Sequence, residues 1–262
     1  MHQIVRMARA VRRAGVAIAS GYYGALLSKV SPRRHHLYML RKVRGPYKGP
    51  LIVKLVAILD DLAKTQDQLA AVQATSNVIS DALRKGEFDE WIYKSEVTDG
   101  KATLLECANF LPGRSWKLQL FYIPEGHSHP PHSHSDVSSC LVVAKGTIHA
   151  REYNRFHDLE DDADHAMITL ASDRRLLPGD ALLTTRHNRD VHWFGAIEGP
   201  AVAFNFQAVG YVRGRRLLEL RRVYVDPSEV GSGGVHKARK LKREEAKLRF
   251  EHRPLSDFPL KS

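Results

Sequence analysis

The sequence predicts a mainly β protein, in which an antiparallel β-barrel follows a helical N-terminal region. Two observations support this prediction. After Trp91 the chain consists of short segments rich in β-branched and aromatic residues and separated by turn signals, a texture typical of antiparallel barrels and sandwiches. Before them, residues 51–86 carry apolar side chains at a seven-residue spacing, which indicates a long helix. With 43% hydrophobic and 26% charged residues, the 262-residue chain can bury a substantial core.

Residues 1–50 form a basic N-terminal region. The chain has a formal net charge of +11, and its first acidic residue is Asp60. A mitochondrial transit peptide is rich in arginine and poor in acids in the same way, and a secretory signal has a similar outline, although the basic segment SPRRHHLYMLRKVRG would hinder export. We favour a basic helix that packs on the domain or contacts an anionic surface.

The cysteine content indicates a reducing compartment. Only Cys107 and Cys140 occur, so a disulfide framework is not expected. We expect an intracellular protein, in the cytoplasm or alternatively in the mitochondrion. The sequence contains no run of about eighteen apolar residues, which argues against a membrane-spanning helix.

Residues 51–86 are predicted to form one long helix with a heptad pattern that ends near Gly86. Eight of ten residues at two heptad positions are apolar. These residues are Leu51, Ile58, Thr65, Val72 and Ile79 at one position, and Leu55, Leu62, Leu69, Ser76 and Leu83 at the other. The pattern fits a helical hairpin, a homodimer interface through residues 51–84, or an amphipathic helix that packs on its own domain.

Residues 87–226 are assigned to the barrel and residues 227–262 to a basic tail. Six segments read as strands: KATLLECANF, SWKLQLFYIP, SSCLVVAKGTIHAREY, HAMITLASDRRLLPGDALLTT, VHWFGA and PAVAFNFQAV. After them GSGG reads as a linker, and the tail is expected to be solvated. Nucleic-acid binding is not favoured, because the tail lacks a recognised module and contains Glu244, Glu245 and Glu251.

The segment between Gly126 and Gly146 contains four histidines within eight residues. His132 and His134 are two residues apart, so on an extended segment their imidazoles point to the same face and can meet one ion. The other two, His127 and His129, are expected to support the pair or to face solvent.

The spacing of this segment resembles the first cupin motif. Five residues separate Gly126 from His132, four separate His134 from Ser139, and six separate Ser139 from Gly146. The resemblance implies a cupin-type antiparallel β-barrel, also called a double-stranded β-helix. A cupin normally carries a glutamate where this chain has Ser139, so a third ligand must come from elsewhere.

His192 is the best candidate for the third ligand, and His187 is the next. His192 starts the strand-like segment HWFGAIEGPAVAFNF, and a residue at the start of a later barrel strand can reach an ion held by an earlier one. Three neutral imidazoles suit Fe(II), with zinc, copper and nickel as alternatives. Three protein ligands leave positions open for a substrate and O₂, which permits oxygenase chemistry.

Two segments resemble the thiol dioxygenases, most closely the branch of cysteamine dioxygenase and plant cysteine oxidases. In HSHSDVSSCLVVAKGTIHAREYNRF, eleven residues separate His134 from Gly146, as in that branch. In the second segment His192 is followed by Ala196 and then by EGPA, like the element around the branch's third iron ligand. The resemblance covers about residues 123–224. It implies a centre of Fe(II) and three histidines that adds O₂ to a thiol, with His132, His134 and His192 as the ligands.

The catalytic candidates are Tyr211, Asn205 and Cys140. The branch carries an aspartate where this chain has Asn205, and it carries a tyrosine near the substrate pocket where this chain has Tyr211. Cys140 is either a reactive thiol or a buried strand residue. The expected thiol is cysteamine, cysteine or an N-terminal cysteine, and the departure at Asn205 leaves the choice of substrate open.

The sequence leaves two further functions open beside a thiol dioxygenase. One is a metal-dependent cupin oxygenase or isomerase that acts on a non-thiol substrate, which Asn205 motivates. The other is a cupin-derived binding protein whose basic N-terminal region and heptad helix act at a membrane or partner surface.

Overall fold

A computed structural model describes residues 40–98, 101–111, 114–134, 137–156, 164–211, 222–231 and 233–260. Most of the basic N-terminal region lies outside these residues, so its expected contact with an anionic surface stays a prediction. None of the described helices is both long enough and apolar enough to span a membrane.

From residue 51 to the start of the sheet the structure describes the helices α1 (Leu51–Thr65), α2 (Gln68–Arg84) and α3 (Asp89–Thr98). The prediction of one helix over residues 51–86 is therefore wrong, because α1 ends at Thr65 and a second helix begins at Gln68. Gln66 adopts a left-handed conformation with φ 63°, and the Asp67 side chain accepts a hydrogen bond from the Ala70 amide at 3.0 Å. An aspartate N-cap satisfies a backbone donor at the start of a helix, and here it begins α2.

Within the described residues, nine strands follow these helices, and a short helix and a 3₁₀ turn come after the strands. The strands are β1 (Lys101–Leu111), β2 (Arg114–Ile123), β3 (Ser128–His134), β4 (Val137–Arg155), β5 (His165–Leu176), β6 (Ala181–Thr184), β7 (Val191–Val209), β8 (Arg222–Asp226) and β9 (His236–Leu241). Helix α4 (Arg243–Phe250) and a 3₁₀ turn (Leu255–Asp257) come last.

The strands close into a barrel because β7 pairs on both of its sides. All pairings are antiparallel, and the closed ring runs β7–β3–β8–β9–β5–β4 and back to β7. The other part of β7 pairs with β2, which carries β1 on its far edge, while β6 adds to β4. This is the predicted cupin-type barrel with helices at its N-terminal side.

The helices α1 and α2 pack on the outer face of the sheet part formed by β2, β4 and β7. Their buried apolar residues share one core cluster with strand residues such as Trp116, Leu118 and Phe204. Most apolar heptad residues thus contact their own domain, as expected for an amphipathic helix. Leu69 is 48% exposed, and the homodimer interface through residues 51–84 stays a prediction.

The C-terminal residues do not form a solvated tail, and this expectation is wrong for residues 236–258. Strand β9 belongs to the ring, and Phe250 and Phe258 are buried against Trp193 with ring centroids 5.0 Å away. The sequence obscured this contact because basic residues surround Ala246 and Phe250, which lie four residues apart on one helical face.

Candidate metal centre

The three predicted metal ligands meet inside the barrel. His132 and His134 lie on β3, and His192 lies directly opposite His132 on β7. Each offers one nitrogen, and these three atoms lie within 4.8 Å of one another. The side chains are only 1%, 6% and 7% exposed, respectively. Among the described residues this is the group of histidine, cysteine and acidic side chains that can hold a metal ion.

Hydrogen bonds orient two of the imidazoles toward a shared ion. The Nδ1 of His132 lies 2.8 Å from the Pro130 carbonyl oxygen, which can only accept, so this nitrogen carries the proton and Nε2 keeps its lone pair. The Nε2 atoms of His132 and His134 are 3.1 Å apart, a separation that lets both lie about 2.1 Å from one ion. The Thr184 hydroxyl is 3.3 Å from Nδ1 of His192. Such outer contacts fix a ligand's tautomer and orientation, and the residues therefore fit a metal ion.

Burial keeps the three imidazoles neutral. Desolvation lowers the pKa of His132 and of His134 well below its usual range, and the neighbouring histidines and Arg222 lower each further. Burial, followed by the charge of Arg222, lowers the pKa of His192 to about 3. A neutral imidazole is the form that binds a metal, so the site is ready to accept an ion near neutral pH.

The same shifts predict that the metal-free protein loses stability in mild acid. The ordinary pKa of histidine is 6.5. Above this pH the three imidazoles are unprotonated in both the folded and the unfolded protein. Below it the unfolded chain takes up protons while the buried imidazoles do not, so the unfolding free energy falls by about 1 kcal/mol per histidine for each pH unit. For His192 this loss continues down to a pH of about 3. Urea unfolding at several pH values measures it, and His192→Asn should reduce the slope; an unchanged slope would contradict the account.

A small cavity adjoins the histidines. The space that the centre of a water molecule can occupy there is about 20 Å³. This is enough for one or two chemical groups the size of a water molecule. The residues that line it come from six strands: Phe121, His129, His132, Ser139, Leu141, Leu182, Thr184, His192, Phe194, Asn205, Gln207 and Arg222. Its apolar side chains limit water access, and its polar ones are amides, hydroxyls, imidazoles and one guanidinium.

Asn205 reaches this cavity, whereas Tyr211 and Cys140 do not. Asn205 and Ser139 both line it. Cys140 follows Ser139 on β4 and therefore points to the opposite face, into the core beneath the helices. Burial raises the pKa of its thiol, so it stays protonated and unreactive. Tyr211 is buried in the same core cluster. The structure thus places two of the three catalytic candidates away from the histidines.

The remaining histidines separate into different environments. The His129 ring lies 4.7 Å from that of His132, and His129 lines the cavity. His127 packs edge-on against His252 at 4.7 Å. His187, the alternative third ligand, lies in the turn after β6 and is outside the group of three.

Arg222 and Thr184 also line the cavity, and neither was predicted from the sequence. Arg222 begins β8, a strand absent from the six predicted segments. The segment RVYVD could have been predicted as a strand. Arg222 and Tyr224 would then share one face, since residues two apart on a strand point to the same side. Thr184 ends β6, which the sequence merged with the preceding strand.

A buried carboxylate lies beside the site but is engaged elsewhere. Glu152 on β4 is opposite His192 in the strand register and is fully buried. One of its oxygens lies 3.0 Å from Arg189 and 3.4 Å from Arg174. Burial raises the pKa of Glu152, and the two arginines oppose that shift. Glu152 is therefore a structural partner of two cations and not a member of the ligand group.

Comparisons with known proteins find partial similarity to solved structures. No protein-family model matches the sequence, and no curated protein sequence matches it. Procruciferin, an 11S globulin from Brassica napus, is 17% identical with a TM-score of 0.30, and the match covers 42% of this chain and 24% of that one. KdgF from a Halomonas species is 17% identical with a TM-score of 0.28, covering 42% and 77%. An oxalate oxidase is 17% identical with a TM-score of 0.31, covering 51% and 58%.

The fold assignment depends on the strand ring and not on these partial matches. The closed antiparallel ring carries His132 and His134 on one strand and His192 on the strand beside it. The chain therefore has a cupin β-barrel with three histidines that can hold one metal ion.

Proposed function

We propose that the protein is a mononuclear non-haem Fe(II) dioxygenase that adds O₂ to a thiol and forms a sulfinic acid. The observation that supports this most directly is the ligand group of three buried imidazoles beside a cavity whose described lining contains no carboxylate. The resemblance of the segments around His134 and His192 to thiol dioxygenases points to the same chemistry. Imidazole ligands suit divalent iron.

The proposed reaction balances without a further reductant. Both oxygen atoms of O₂ are added to the thiol sulfur, the S–H proton passes to the sulfinate or to solvent, and the sulfur is oxidised as O₂ is reduced. When bound, the iron would supply Lewis acidity that lowers the thiol pKa and the redox chemistry that activates O₂.

The residues of the chain would hold the reactants and keep water out. The Pro130 carbonyl and the Thr184 hydroxyl orient His132 and His192. Phe121 and Phe194 line the cavity with apolar surface, which excludes water and strengthens polar interactions inside. The amide of Asn205, which can donate and accept, is available to position a polar group of the substrate.

A non-thiol substrate is the second candidate function, because of Asn205. An amide at the position where the resembling branch carries an acid changes the charge that a substrate meets. In this alternative the same metal site performs oxygenation or isomerisation on a molecule without sulfur.

Oxygen uptake tests the proposal. Protein reconstituted anaerobically with Fe(II) and then exposed to air is expected to consume O₂ with at least one thiol from a panel of cysteamine, cysteine, a peptide with N-terminal cysteine and 3-mercaptopropionate. Mass spectrometry should identify the sulfinic acid. Metal-loaded protein that consumes no O₂ with any of these thiols would contradict the proposal, and turnover of a non-thiol panel would then support the alternative.

A further inference from the structure

Arg222 is a cation on the interior face of the barrel, next to the metal ligands. It lies opposite His134 in the pairing of β3 with β8, so both side chains share one face of the sheet. Arg222 lines the cavity together with His132 and His192.

No described residue neutralises Arg222. Its side chain forms no hydrogen bond or ion pair with another described residue, in contrast to Arg174 and Arg189, which share the carboxylate of Glu152. None of the described residues that line the cavity is acidic. A partly buried guanidinium without a counterion is unfavourable, so this position suits an anion supplied by a ligand.

Lys117 adds a second cation on the same side. It lies opposite Gln207 in the pairing of β2 with β7, and Gln207 in turn lies opposite Ser139 on β4. Gln207 and Ser139 both line the cavity, which places Lys117 on the cavity face of its strand. Partial burial, followed by the charge of Arg222, lowers the pKa of Lys117, and Glu106, which lies opposite Lys117 on β1, opposes that shift. An anion bound between Lys117 and Arg222 would attract both side chains and so offset the repulsion between them.

We infer that the cavity binds a small substrate that carries a carboxylate, with Arg222 as the residue that pairs with it and Lys117 as a second positive charge nearby. Arginine matches a carboxylate with two parallel hydrogen bonds, while the histidine group stays available for the metal. The small cavity volume restricts the enclosed part of the substrate to a few atoms. This inference depends on the proposed thiol oxidation. The expected substrate is therefore a short mercaptocarboxylate and not an aminothiol.

Binding of three matched thiols tests this inference without turnover. The probes are 3-mercaptopropionate, 2-mercaptoethanol and cysteamine, which differ mainly in carrying a negative, a neutral and a positive end. Isothermal titration of the cobalt(II)-loaded full chain without O₂ measures each Kd. We expect 3-mercaptopropionate to bind at least about tenfold more tightly than 2-mercaptoethanol, as a charged hydrogen bond implies, and cysteamine to bind most weakly.

Two substitutions at Arg222 and one control variant test whether Arg222 causes the preference for the anionic thiol. Arg222→Gln should bring the Kd of 3-mercaptopropionate to within about twofold of that of 2-mercaptoethanol, and Arg222→Lys, which keeps the charge, should retain part of the preference. The control is Arg175→Gln, since Arg175 is exposed and pairs with Glu198 at 2.6 Å; it should match wild type. Near-ultraviolet circular dichroism checks that each variant is folded.

The outcomes separate this inference from the proposed function. Thiols that bind without a preference for the anion, or a preference that survives in Arg222→Gln, would overturn the inference and leave thiol oxidation standing. If no thiol binds the metal-loaded protein but propionate binds in a manner that depends on Arg222, the thiol function fails and the anion site is supported.

Discussion

Replacing His134 with alanine is expected to abolish metal binding and O₂ consumption together. The substitution leaves two imidazoles where three now meet within 4.8 Å. Even outer partners of a metal ligand are worth 10–100-fold in affinity or activity, so loss of a ligand itself should lower the rate by more than about a hundredfold. Elemental analysis and an oxygen electrode measure both quantities on the same preparation.

His127→Ala is the matched control for this substitution. It removes the same side chain from the same segment, but the His127 ring packs against His252 and not into the cavity. This variant should keep about one metal ion per chain and most of its activity. A His134→Ala protein that retains both metal and turnover would show that the ion binds elsewhere.

Replacing Phe250 with alanine is expected to lower the unfolding free energy by about 3–5 kcal/mol, the usual cost of emptying a buried aromatic position. Phe250 is fully buried against Trp193 and Phe258. Its carbonyl accepts a hydrogen bond from the Ser128 hydroxyl at 2.6 Å, and Ser128 begins β3, the strand that carries His132 and His134. Equilibrium unfolding in urea measures the loss.

Leu248→Ala serves as the control for Phe250 because both residues lie on α4. The Leu248 side chain is 89% exposed, so its removal should change the unfolding free energy by less than about 0.5 kcal/mol. Equal effects of the two substitutions would contradict the packing of the C-terminal residues on the barrel.

The three histidines of the candidate metal centre could be predicted from the sequence because the signals for them are local. The two-residue spacing of His132 and His134 places them on one strand face. His192 was the best candidate for the third ligand because it starts a later strand-like segment, and the family resemblance agrees with that choice. The absence of the usual glutamate at Ser139 was visible in the same motif. The structure adds that Glu152, the buried carboxylate beside His192, is held by Arg174 and Arg189.

The remaining site residues could not be predicted, because they depend on which strands become neighbours. Arg222 enters the site through the pairing of β8 with β3, and no local pattern specifies that pairing. Cys140 was open to a better prediction: it is adjacent to Ser139, and neighbouring strand residues point to opposite faces.

The end of α1 and the packing of α4 were not predicted from the sequence, for two different reasons. The heptad spacing continues across Gln66 and Asp67 and so conceals the break between α1 and α2, although an aspartate at that point is a known helix start. In α4 the basic side chains outnumber the two buried residues, Ala246 and Phe250. Composition there indicated a solvated tail, while tertiary contacts decided the outcome.

The most direct test of the account is an isotope measurement on the product. Fe(II)-loaded protein incubated with ¹⁸O₂ and the thiol that supports oxygen uptake is expected to yield a sulfinic acid in which both oxygen atoms carry the label, and His134→Ala should yield none. A product that carries oxygen from water, or no oxidised thiol despite a bound metal, would contradict the assignment of this barrel as a thiol dioxygenase.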